Sequence, residues 1–373
     1  MRKIDVMTFH RAHNFGSVLQ AYALQTFVEK LHQESHIDME YTLIDFFTPE
    51  QEELYRIYKK CNCLQNIIKN LIAFRYAKQL KSKYRKFNTF IEKYFNLTKR
   101  YYNEMELVQE PPKADYYLSG SDQIWNVRAR DYSIAYYLNF VDDGKKVSYA
   151  ASLGPMKIDW SKYSSSECAN ALQKYTAVSV REQGSLDNIQ TISDIKCDIH
   201  VDPTMLLTAD EWRKIQSYAN YNDGQYILLY CLEPSKEQLR IADTVSKKLK
   251  LPVVILRYNN KNDMFNHFVK KYDSGPADFL AYIDHAALVL SSSFHGTVFS
   301  LIFHKPFYSL NGLTDNRISS ILRKTNMLDR SLENIADAER VSLIKPSSSA
   351  IENLLEEERM RSREYLMKVL EIE

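Results

Sequence analysis

Glycine and proline are scarce in this chain, nine and ten among 373 residues, and no stretch reads as a flexible low-complexity linker. Long apolar runs are missing too. No window approaches ~18 uninterrupted apolar residues, the pattern of a membrane-spanning helix. The opening MRKIDVMTFHRAHN has no apolar core of the secretory-signal kind. The five cysteines, Cys61, Cys63, Cys168, Cys197 and Cys231, are odd in number and scattered. That suits reduced thiols in the cytoplasm rather than a disulfide framework. Cys61 and Cys63 are the only close pair, without partners at zinc-finger spacing, so no structural zinc is expected. The nine histidines are dispersed. No paired-carboxylate signature, metal-type cluster or nucleophile elbow is present.

What remains is an ordinary globular composition, 45% hydrophobic and 26% charged, at a length that favours two domains. The net charge of +2 is unevenly spread. Between Arg56 and Arg100, thirteen Lys or Arg stand against one acid, Glu92. Such asymmetry bears on partners more than on fold.

The apolar pattern predicts a strand over 3–9, a polar turn over 10–16, a helix over 18–31 and a strand over 41–46. This is the start of a parallel, doubly wound sheet. HNFG supplies one glycine where the dinucleotide fingerprint needs three, which disfavours NAD. Residues 50–94 read as helical throughout. Strands return at 115–118, 147–150 and 177–180, with a short run at 198–201, before Asp202-Pro203 breaks the pattern. A connecting helix over 211–218 and a turn over 222–224 are expected. A second alternation then places strands at 226–232, 253–256 and 288–290, and helices at 236–249, 276–283, 297–303 and 352–370. The fold class is α/β, with two Rossmann-like domains. The first, 1–215, carries a basic helical insertion over 50–100. The second is 216–349, and a C-terminal helix over 350–373 packs back on the first.

In open α/β sheets ligands lie beyond the carboxyl ends of the strands. Four turns meet that test: residues 10–16, 118–126, 179–183 and 291–296. The last, SSSFHG, follows an apolar strand and precedes an apolar helix, whose first amides suit an anion. Ser292, Ser293 and Gly296 are candidates for that contact, and His295 for general acid or base. The plainer alternative is that Ser293 caps the helix and His295 fills a hydrogen bond. In LSGSDQIWN, Gly120 permits a tight turn, and Ser121, Asp122 and Gln123 are candidates for a substrate hydroxyl, while Trp125 reads as packing. Arg181 either clamps an anion or pairs with Glu182 or another acid. Asn14 and Gly16 allow close backbone approach to a ligand, as candidates for the donor's anionic groups, or are plain turn chemistry.

Taken together and in order, HNFGSVLQAYALQ, GSDQIWN, SVRE, VDPT and SSSFHGTVFSLIFHKPF resemble the polysaccharide pyruvyl transferase family from about residue 4 to about residue 330. The resemblance implies a glycosyltransferase-B-like arrangement with an interdomain cleft. It also implies transfer of the pyruvyl unit of phosphoenolpyruvate onto hydroxyls of a sugar or lipid-linked oligosaccharide in cell-surface polysaccharide synthesis. The family's catalytic histidine falls on His295, and its anion-binding role on Arg181 and nearby loops. Where relatives often carry an arginine two places before that histidine, this chain has Ser293, so Arg317 or Lys305 are the candidate substitutes. No metal or cofactor enters the scheme. Two rivals stand beside it: a nucleotide-sugar-dependent glycosyltransferase of the same architecture, and a non-catalytic glycan-binding member. The expected location is cytoplasmic, with peripheral membrane contact through 56–100 where apolar residues interleave with the basic ones. Nucleic acid is not an expected partner, because no binding module surrounds the patch.

Overall fold

Most strands of this protein are short and buried on both sides, as parallel strands covered by helices must be. Tyr116–Ser119, Ile227–Tyr230, Leu288–Ser291 and Phe307–Leu310 are buried at every position. The computed structural model describes residues 1–35, 37–142, 144–217, 224–257 and 267–372. They divide into two units. Unit 1 comprises Met1–Tyr55, Ile91–Leu207 and Leu355–Glu373, and unit 2 comprises Arg56–Phe90 and Thr208–Leu354.

In unit 1, strands β1 (Arg2–Met7), β2 (Met39–Phe46), β3 (Leu97–Tyr101), β4 (Tyr116–Ser119) and β5 (Lys145–Ser148) form a parallel sheet ordered β3-β2-β1-β4-β5. β6 (Val178–Val180) pairs with β7 (Cys197–Ile199), and single bridges at Ala177 and Val180 join them to residues 147 and 151. The helix Phe15–Ser35 follows β1. It starts because the Asn14 side chain accepts from Gly16 N at 3.0 Å, an Asx cap on an otherwise orphaned amide. The C-terminal helix Ser348–Val369 enters unit 1 at Leu355. There Arg359 Nε donates to Met205 O at 3.2 Å and Tyr365 Oη to Ser148 O at 2.8 Å.

Unit 2 repeats the plan. Strands β8 (Ile227–Tyr230), β9 (Val253–Ile255), β10 (Val269–Lys270), β11 (Leu288–Ser291), β12 (Phe307–Leu310) and β13 (Ser331–Leu332) are parallel and ordered β10-β9-β8-β11-β12-β13. This is the six-stranded Rossmann order.

Three features differ from the sequence pattern. The basic residues 56–90, expected with the first domain, belong to unit 2, which begins again at Thr208 rather than 216. The reason is local packing: Lys86 Nζ meets Asp278 at 2.7 Å, and the Tyr76 and Tyr272 rings lie 5.1 Å apart. Lys86 also sits so close over Gly275 that a Cβ there would be 2.5 Å from its own. Secondly, residues 50–94 are not continuously helical but form the helices Pro49–Tyr55, Leu64–Arg75 and Ala77–Tyr94. Thirdly, the connecting helix is the short Ala209–Arg213, held by a Thr208–Glu211 capping box. Tyr218 of the expected connecting helix and Asn222 and Asp223 of the expected turn lie outside the described residues.

Candidate active site

A sheet of this order has its connections diverge to opposite faces between the first and fourth strands, which opens a crevice at the carboxyl ends. That point lies between β1 and β4 in unit 1 and between β8 and β11 in unit 2. Residues 10–16, 118–126 and 291–296 therefore all sit at a switch point. Residues 179–183 follow β6, outside the main sheet.

In unit 2 the helix after β11 is Phe294–Ile302, three residues earlier than its apolar pattern implies. His295 is its second residue, buried with 7% exposure, so its imidazole belongs to the first turn, where the helix amides point outward. Ser293 occupies the N-cap position, yet its side chain makes no capping bond. Capping is therefore not its task. The turn is closed by Ser291 instead, whose Oγ donates to Tyr230 O at 2.9 Å and accepts from Ser293 N at 3.0 Å. Gly296 packs against that seam: a Cβ there would lie 2.2 Å from Ser291 Oγ and 2.9 Å from Tyr230 Cδ1. Thr297 Oγ1 and Ser309 Oγ, 3.0 Å apart, tie the helix to β12. Beside Ser292, burial pushes the Cys231 thiol up to about 11, so it stays protonated at neutral pH.

The two basic residues named for this turn part company. Arg317 follows β12 on the same carboxyl edge. Its guanidinium sits 5.9 Å from the Phe294 ring centroid and grips Asp315 at 2.6 and 3.0 Å. Lys305 precedes β12, at the amino edge, and its Nζ donates to Asp284 O at 2.6 Å. Lys305 is thus at the wrong end of the sheet to serve the turn.

In unit 1, Asn14, Gly16, Ser121, Asp122 and Gln123 are brought together. Ser17, which the sequence did not single out, joins the two turns by donating to Asp122 Oδ2. Asp122 holds a left-handed φ of 76°, a costly conformation for a residue with a Cβ. It is kept there by Gln123 N, which donates to its Oδ1 at 2.9 Å, and by Ser152 N, which donates to its carbonyl at 2.9 Å. Thr8 Oγ1 donates to Ser121 O at 2.8 Å, and Gln20 Nε2 donates to Thr8 Oγ1 at 2.9 Å. Asp131, also missed, lies in the field of Asp122, and burial followed by that charge raises its carboxyl above the usual range. Trp125 packs as expected, stacked on Tyr137 at 4.8 Å.

Arg181 takes the plainer of its two readings. Its side chain is 2% exposed, with Nη1 2.6 Å from Asp202 and Nε 3.2 Å from Glu182. Burial opposes the charge, but the two carboxylates outweigh it and hold the guanidinium more firmly protonated than usual. Ser121 Oγ reaches the same Asp202 at 3.5 Å. Arg181 therefore braces the turn from beneath rather than offering a free clamp. His10 is likewise internal, fully buried with Nε2 3.3 Å from Asp45.

The sequence model of the family described as polysaccharide pyruvyl transferase matches residues 14–312, most of the chain and every candidate residue but Arg317. The chain belongs to that family. It is accordingly a transferase of polysaccharide biosynthesis. No curated relative matches this family member in sequence. Among solved structures it is similar to the UDP-GlcNAc 2-epimerase of Methanocaldococcus jannaschii in complex with UDP-GlcNAc and UDP. There the identity is 13% and the TM-score 0.53, over 100% of this chain and 99% of that one. It is also similar to the Neisseria meningitidis UDP-GlcNAc 2-epimerase bound to UDP-GlcNAc, at 12% identity and a TM-score of 0.52, over 99% of each chain. At such identity the likeness concerns fold alone: two Rossmann-like domains of the glycosyltransferase-B-like class.

Proposed function

We propose that this pyruvyl transferase takes its pyruvyl unit from phosphoenolpyruvate and places it on two hydroxyls of a cell-surface sugar, with His295 moving the protons. The supporting observation is the position of His295 in the first turn of the Phe294–Ile302 helix at the switch point of unit 2. Protonation of the enol CH2 carbon leaves C2 electrophilic, and a sugar hydroxyl attacks it as its own proton departs. A second hydroxyl then closes the ketal, and the C2–O bond to phosphate breaks to release inorganic phosphate. Imidazole suits such a shuttle near neutral pH. The first amides of the helix, the Ser292 and Ser293 hydroxyls, the Gly296 backbone and the Arg317 guanidinium are assigned to the donor's carboxylate and phosphate. Ser121, Asp122 and Gln123 are assigned to the acceptor, and Asn14 and Gly16, in the turn that Ser17 ties to theirs, to an anionic group of the donor. The scheme uses no cofactor, and we place the enzyme in the cytoplasm, acting on an exopolysaccharide precursor.

The second reading, a nucleotide-sugar donor, is favoured by what the two structural neighbours bind. Labelled phosphoenolpyruvate with a panel of lipid-linked and nitrophenyl hexosides separates the two. Phosphate release that His295→Ala abolishes, with folding retained, is the expected result. Full activity in that variant refutes the role of His295. Thermal stabilisation by uridine or guanosine diphosphate, with none by phosphoenolpyruvate, overturns the donor.

A further inference from the structure

The helix Leu64–Arg75 has its polarity reversed relative to a core-facing helix. Only its small residue Ala73 is buried. Leu64, Leu71 and Phe74 are 71%, 69% and 73% exposed, and Ile67 and Ile68 are 41% and 49% exposed. Their spacing (i, i+3, i+4, i+7, i+10) puts all five along one side. The polar side fixes this orientation. Asn70 Nδ2 donates to Lys59 O at 2.8 Å while its Oδ1 accepts from Lys59 N at 2.8 Å, and Asn66 Nδ2 donates to Lys60 O at 3.0 Å. The asparagines clasp the preceding chain, so the aliphatic stripe faces out.

Charge selects what the stripe meets. From Arg56 to Phe90 there are ten Lys or Arg and no Asp or Glu. Lys60, Lys69, Arg75, Lys78 and Lys81, on and beside the helix, are exposed. A two-fold contact with a second copy would set this charge against itself. No described helix is long and apolar enough to cross a membrane, and this one, about 18 Å long by helix geometry, falls far short of the ~30 Å hydrocarbon core.

We propose that the helix Leu64–Arg75 is an interfacial anchor that lies flat on an anionic lipid surface. The stripe of Leu64, Ile67, Ile68, Leu71 and Phe74 enters the acyl boundary, and the surrounding Lys and Arg meet headgroup phosphates. This goes beyond the expectation of membrane contact by the basic segment as a whole, and it stands whichever donor the enzyme uses.

The test is flotation of the full chain with vesicles of phosphatidylcholine alone and of phosphatidylcholine mixed equally with phosphatidylglycerol. The chain is expected to float with the mixed vesicles and far less with the neutral ones. Leu64→Ser/Leu71→Ser/Phe74→Ser lowers the partition coefficient by at least about tenfold, and Lys69→Glu/Arg75→Glu by about tenfold or more. All five side chains are exposed, and an unchanged thermal midpoint certifies that the variants fold. Failure of the wild-type chain to float with mixed vesicles overturns the proposal. Equal flotation of the triple variant does so too. A dimer in sedimentation that the triple variant abolishes, without flotation, assigns the stripe to a second copy and overturns it as well.

Discussion

Replacing Gly296 by alanine tests the construction of the unit 2 turn directly. The added Cβ would lie 2.2 Å from Ser291 Oγ, 2.9 Å from Ser291 Cβ and 2.9 Å from Tyr230 Cδ1. Ser291 has no cheap escape. Rotating its hydroxyl away breaks the bonds to Tyr230 O and Ser293 N, each worth about 1 kcal/mol net. The Tyr230 ring is 1% exposed and cannot retreat into solvent. Overpacking of about 1–3 kcal/mol and the two lost bonds, less the roughly 1 kcal/mol that alanine gains over glycine within the helix, therefore cost roughly 2–4 kcal/mol, borne by unit 2. Urea unfolding of the Gly296→Ala protein should show that loss against wild type. Ser291→Gly/Gly296→Ala removes the two Ser291 atoms that clash and leaves only the Tyr230 contact, so the pair should be less destabilised than the two single losses added. Because His295 is next to Gly296, turnover should also fall by on the order of a hundredfold in the single variant. A Gly296→Ala protein within about 0.5 kcal/mol of wild type, an ordinary surface-substitution effect, would refute the close-packing argument. Strict additivity in the double variant would refute the assignment of the clash to Ser291.

Two further outcomes follow from unit 1. Arg181→Met leaves Asp202 and Glu182 as uncompensated buried charges and is expected to cost about 3–5 kcal/mol in the absence of any substrate. If urea unfolding shows no loss and only donor affinity falls, the bracing role assigned to Arg181 is wrong. Asp5, 6% exposed, has its carboxyl pushed up to about 6 by burial, with Glu40 adding and Lys3 opposing. The folded chain holds that proton more tightly than the unfolded one. Its share of stability is therefore present below about pH 4 and lost as pH rises to about 6, a cost on the order of 3 kcal/mol at neutral pH. Asp5→Asn should raise the urea midpoint near neutrality and leave it unchanged in acid, and an equal midpoint at neutrality would exclude the effect.

The doubly wound fold was legible where strands are long enough to carry a pattern. β1, β2, β4, β8 and β11 follow from apolar runs bounded by turn residues. β10 and β13, two residues each at sheet edges, and the half-exposed edge strand β3 bury too little to leave one. The candidate site was legible as position, since SSSFHG and GSDQ each follow a buried strand. Its wiring was not. Ser17 and Asp122 are far apart in sequence and meet only because β1 and β4 are neighbours.

The sequence by itself determined that the turn carrying His295 joins a buried strand to a helix, and that Arg181 must meet either an anion or an acid. Tertiary structure decided between such alternatives. The helix Phe294–Ile302 carries the chain about 13 Å back along the sheet, leaving Lys305 at the amino edge, and β12 then returns it, bringing Arg317 beside Phe294. Asp202 reaches Arg181 from beyond β7 and settles it as a buried pair. For the basic segment, sequence supplied a stripe and a charge. Only the bonds of Asn66 and Asn70 to Lys59 and Lys60 decided that the stripe faces out. A helical pattern shows that two sides differ, and packing chooses which one the protein keeps.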